Sequence, residues 1–79
     1  MQHDLRVALC RSITARAHLA GAEAAELETK AKGIFWPDLH EQTVAASLAA
    51  RRRYWREIAA KQQLLGHPWE KAEALGREV

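Results

Sequence analysis

Gly33-Ile34-Phe35-Trp36-Pro37 separates two long proline-free stretches, residues 5–32 and 38–65, and Gly66-His67-Pro68 closes the second one. Glycine just past a helix end accepts the left-handed conformation, and a proline soon after cannot continue the hydrogen-bond ladder. The punctuation therefore predicts an all-α chain: an antiparallel helical hairpin of two long helices plus a short C-terminal helix. The expected bounds are about 4–32 for the first helix, 33–37 for the turn, 38–65 for the second helix and 68–78 for the tail helix, all within one domain spanning 1–79.

Working back from the turn, Leu5, Leu9, Ile13, Ala17, Ala20, Ala24, Leu27 and Ala31 recur at helical spacing and predict a buried stripe. Most of it is alanine, so the helix facing it should approach closely. Asp4 is the expected N-cap. Gly21 lies off the stripe, as either a weak point costing about 1 kcal/mol or a second close contact.

Forward of the turn, Asp38 and Glu41 have capping-box spacing. Val44, Leu48, Trp55, Ile58, Ala59 and Leu65 make the main apolar face, with Tyr54 at its edge and Arg51 and Gln62 inside it. Arg51 is expected to snorkel along that surface; pairing with a carboxylate is the alternative. Leu39, Ala46, Ala50 and Leu64 form a thinner apolar line on another side. In the tail, Pro68 is the expected first helical residue, followed by Trp69, Ala72, Leu75 and Val79 on one side. Trp69 is expected to anchor the tail near Leu5 and Leu9 at the open end of the hairpin.

Composition points to reinforcement from outside the chain. Of 79 residues, 16 are alanine, against nine leucines, three isoleucines, three valines and three tryptophans. A chain this short buries only about 60% of its unfolded surface, and alanine adds little area. Two helices of about 42 Å each with so thin a core suggest a homodimer forming a four-helix bundle. Leu9, Ile13, Leu27, Val44, Leu48, Trp55, Ile58 and Trp69 are the candidate core or dimer-packing residues.

Charge is divided along the hairpin. The open end, with Arg6, Arg11, Arg16, Arg51, Arg52, Arg53, Arg56 and Lys61 against Asp4 and Glu57, nets +6; the turn end nets −3 and the tail −1. Such a rod is suited to pairing basic end on acidic end, which chiefly sets orientation and on-rate. Arg52, Arg53 and Arg56 share one arc of the second helix and are the candidate cations for a protein partner or, as a weaker reading, nucleic acid; Trp55 points into the apolar stripe, so no aromatic platform accompanies them. The overall charge of +2 is far from the excess of a dedicated nucleic-acid binder.

Three large apolar residues at a hairpin tip are unusual. Ile34, Phe35 and Trp36 are expected to fold back and plug the end of the bundle. The functional alternative makes Phe35 and Trp36 a binding hot spot.

Signals for chemistry are weak. His3, His18, His40 and His67 have no helical partner at ligand spacing, Cys10 reads as a buried structural thiol without an activating histidine, and there is no phosphate loop. No cofactor, metal or catalytic activity is expected. One cysteine excludes an internal disulfide, and without a signal peptide the expected location is the cytoplasm. The arginine-rich, acid-poor start faintly resembles a transit peptide but fits the first helix equally well. No apolar run suits a membrane span. A Glu- and Ala-rich hairpin of this size resembles small adaptors, assembly factors and phage-encoded inhibitors, a likeness of architecture alone. The expected function is a non-enzymatic protein-interaction module, an adaptor or inhibitor; a small nucleic-acid binder or a structural subunit of a larger complex are the alternatives.

Overall fold

The computed structural model describes residues 2–77, with side chains from residue 5 onward. Three helices follow one another: α1 (Gln2–Lys32), α2 (Pro37–Leu64) and α3 (Glu70–Gly76). α1 and α2 pack as an antiparallel hairpin, and α3 lies on α2 alone among the described residues. With principal extents of 53 × 22 × 12 Å, the described residues form a plate about one helix thick.

The alanine stripe of α1 is the core. Ile13, Ala17, Ala20, Ala24 and Ala31 are buried there, and Thr43, Ser47 and Ala50 face them from α2. Among the described residues no large side chain is fully buried. This departs from the expected packing. The small residues Thr43, Ser47 and Ala50, spaced 4 and 3 apart, meet α1, while the larger apolar seam one position on, Val44-Leu48-Arg51-Trp55-Ile58, is left on the flank. Leu48 is exposed, and Val44, Trp55 and Ile58 are half-buried. Small residues suit this contact for a physical reason: an alanine surface gains dispersion energy only when the facing backbone comes close. The apolar seam also carries Arg51, whose guanidinium a close-packed alanine contact has no room for. Thr43 and Ser47 spend their hydroxyls within their own helix, donating to Leu39 O at 2.8 Å and Val44 O at 2.7 Å, so burying them leaves no unpaired polar group. Gly21 is a close-contact position, since a Cβ there would lie 3.1 Å from Tyr54 Cδ1.

The helix ends differ from the sequence expectation in several ways. α1 runs back to Gln2, so Asp4 falls inside the first turn; its side chain is outside the described residues, as is Val79. Pro37 is the first residue of α2, with Trp36 at the cap in extended conformation and no side-chain cap bond. The Asp38–Glu41 capping box is therefore not formed. Proline pushes its preceding residue out of the helical region and itself fits the first helical position, so the cap falls at Trp36, two residues ahead of Asp38. α3 begins at Glu70, two residues after Pro68, with Trp69 extended at its cap.

The two stop signals also differ. Gly66, at φ +80°, is the one residue with positive φ among those described. His67 N donates to Gln62 O at 2.9 Å and Gly66 N to Gln63 O at 3.1 Å, the paired bonds of a Schellman cap. Gly33 is not left-handed. There α1 ends in a tightened turn, with Gly33 N donating to Lys30 O and Ile34 N to Ala31 O, both at 3.1 Å.

Trp69 anchors the tail, but on α2 rather than near Leu5 and Leu9. Its ring meets Trp55 edge to face, with centroids 5.8 Å apart, and Trp55 meets Tyr54 the same way at 5.2 Å. Ala72 and Gly76 are the buried face of α3.

Candidate functional site

The tip is built by local rules. Pro37 holds Trp36 extended, and His40, one turn into α2, donates from Nδ1 to Ala31 O at 2.9 Å. The carbonyl can only accept, so Nδ1 carries the proton. His40 thus bonds across to the end of α1 and Ile34 is half-buried, but the expected plug is not formed. Phe35 is 95% exposed and Trp36 71% exposed, with exposed Leu39 beside them. Asp38 and Glu41 line a shallow depression at the start of α2 with Gln42 and Ala45. The pairing of His40 with a helix-end carbonyl was not foreseeable from helical offsets, because the two groups belong to different helices.

The arginines are distributed otherwise than the shared arc suggests. Arg53 Nη2 donates to Glu23 Oε2 at 2.7 Å, so it faces α1. Arg56 Nε donates to Gly76 O at 2.6 Å, so it lies beneath α3. Arg52 alone of the three has no partner among the described residues. Arg51 does not merely snorkel: its Nη2 donates to Glu28 Oε1 at 3.0 Å, and its guanidinium lies 5.9 Å from the centroid of the Tyr54 ring. Arg16 Nε joins Glu57 Oε2 at 3.1 Å. Arg51 and Arg53 fall on opposite sides of the α1-facing seam, so ion pairs flank it on both edges, as e and g pairs flank a coiled-coil seam. Each pair is about half exposed and contributes under about 1 kcal/mol, but together they fix the register. They also shrink the charge separation along the rod, since Arg51 and Arg53 neutralise acids assigned to the opposite end.

What remains basic at the open end surrounds a groove of about 400 Å³ lined by Arg6, Val7, Cys10, Arg11, Thr14, Lys61 and Leu65. Thr14 Oγ1 donates to Cys10 O at 2.8 Å, which leaves its methyl group for the apolar lining. Cys10 is half-buried in this groove rather than enclosed in a core. The groove escaped sequence reasoning, which placed the cations at this end but not the opening between the two helices.

Of the candidate packing residues, Ile13 is buried, Leu27, Val44, Trp55 and Ile58 are half-buried, and Leu9, Leu48 and Trp69 are exposed. No helix among the described residues is long and apolar enough to cross a membrane. No family model matches this chain, and no curated protein or solved structure matches it either.

Proposed function

We propose that this chain is a non-enzymatic protein-interaction module, a small helical adaptor or inhibitor acting as a homodimer in the cytoplasm, with Phe35 and Trp36 as its binding residues. The observation that carries the reading is the exposure of these two aromatics at the hairpin tip, Phe35 at 95% and Trp36 at 71%. Tryptophan and its aromatic neighbours are enriched at the centres of interfaces, and aromatics with no packing role of their own are available for that use. The thin core adds support. A plate that leaves Leu48 exposed and Val44 half-buried on its flank gains stability when another surface covers them. The single cysteine suits a reducing compartment.

Phe35→Ala combined with Trp36→Ala tests this. The tagged variant should keep its helicity and lose a partner protein that the parent chain captures in near-stoichiometric amount, with or without nuclease. Unchanged capture would remove the tip from the interaction. Capture that disappears with nuclease would favour the nucleic-acid reading, although that reading is weakened by the engagement of Arg53 with Glu23 and of Arg56 with Gly76.

A further inference from the structure

We propose that the tip of each chain docks into the basic-rimmed groove at the open end of a second copy, so that two chains pair antiparallel through one broad side of the plate. The proposal rests on the interaction-module reading and names the partner of the tip. The two ends complement each other. The groove has an apolar lining from Val7, Cys10 and Leu65 and a rim of Arg6, Arg11 and Lys61, with no carboxylate bonded to these cations among the described residues. The tip presents Phe35 and Trp36, and Asp38 and Glu41 follow at the start of α2, likewise without a cation partner among the described residues. Cations around an apolar slot and acids around an apolar plug select this orientation and oppose pairing of like ends. The groove lies within the roughly 300–1,000 Å³ range of sites that bury a small ligand or large side chain.

The middle of the rod fits the same alignment. Val44, Leu48, Arg51, Trp55, Ile58 and Leu65 fall on a seam of alternating four- and three-residue steps (Gln62 completes it). That spacing lets one helix follow another, yet α1 packs on the seam next to it. Trp69 meets this seam at Trp55, Leu48 on it is exposed, and its far end reaches the groove at Leu65. Leu48 lies about 20 Å along the helix from Phe35 and about 26 Å from Leu65 at 1.5 Å per residue. A two-fold axis near Leu48 therefore carries each tip to the other chain's groove and sets the two exposed Leu48 side chains against each other. One side of a 53 × 22 Å plate offers roughly the 800 Å² per partner of a standard interface. Two equal tip–groove contacts close the assembly at two chains, where a single head-to-tail contact would propagate into a filament.

The native cysteine in the groove provides the test. Phe35→Cys, oxidised mildly, should give a disulfide-linked dimer of twice the 8.9 kDa chain mass, and adding Cys10→Ser should abolish it. Ala46→Cys, at an exposed position on the opposite side of α2, is the control and should not cross-link to Cys10. Arg11→Glu should weaken self-association several-fold in sedimentation, and mixing that variant with Asp38→Lys should restore pairing between the two. Cross-linking of Phe35→Cys no greater than the control, a Cys10–Cys10 disulfide in the unmodified chain, or a concentration-dependent ladder beyond two chains would each overturn the proposal. Loss of cross-linking with tip-dependent capture of a different protein retained would sink the self-docking and leave the interaction module standing. Cross-linking without any captured partner would do the reverse.

Discussion

Arg56 and Gly76 are pressed together at two points. The Arg56 Nε donates to Gly76 O at 2.6 Å, and a Cβ built on Gly76 would lie 2.8 Å from Arg56 Cγ and 3.1 Å from its backbone nitrogen. The arginine thus acts as the seat of α3, with its head capping the last turn of that short helix and its backbone forming the floor beneath.

The first prediction follows from that contact. Gly76→Ala places a methyl group where part of the obstacle is backbone and cannot yield. α3 should lift from α2 at a cost of about 1–3 kcal/mol, despite the better helix propensity of alanine. Chemical denaturation would give the loss, and tryptophan fluorescence would report Trp69 leaving Trp55. An unchanged denaturation midpoint and spectrum would mean that the tail contributes nothing to the fold.

The two interhelix glycines should respond oppositely. Gly66→Ala forces a side chain into the left-handed region at φ +80° and should cost about 1 kcal/mol, although open space surrounds it. Gly33→Ala meets only an ordinary 3.7 Å contact with Lys30 O and no positive φ, so it should be neutral or stabilise by up to about 1 kcal/mol through reduced freedom of the unfolded chain. Thermal melts of the two variants, side by side, decide the matter; equal losses would contradict the difference in cap geometry.

Ala24 has no exposed surface and lies in the buried stripe of α1. Ala24→Leu should force α1 and α2 apart and destabilise by 1–3 kcal/mol or more, breaking the Arg53–Glu23 pair as it does so. Ser47→Ala, on the facing seam, should be close to neutral, because the Ser47 hydroxyl bonds only its own helix. A hairpin that tolerates Ala24→Leu without loss would show that the helices do not depend on close approach.

The sequence by itself determined the three helices, the hairpin and the alanine stripe of α1. These rest on local chemistry: proline and glycine interrupt a helix wherever they stand, and apolar spacing marks a face without reference to any neighbour. Ile13, Ala17, Ala20, Ala24 and Ala31 were readable for that reason. The tertiary structure alone decided which seam of α2 meets that stripe, because two seams lie one residue apart and the more apolar one is not the one used. Close approach favoured Thr43, Ser47 and Ala50, and Arg51 in the richer seam turned to Glu28 instead. The same choice left Val44 and Leu48 on an open flank. The exposure of Phe35 and the partners of the arginines were not legible for a related reason. Arg53 meets Glu23 of α1 and Arg56 meets Gly76 of α3, pairings that depend on where α1 and α3 come to rest. Those are distances between elements, and helical periodicity carries no information about them.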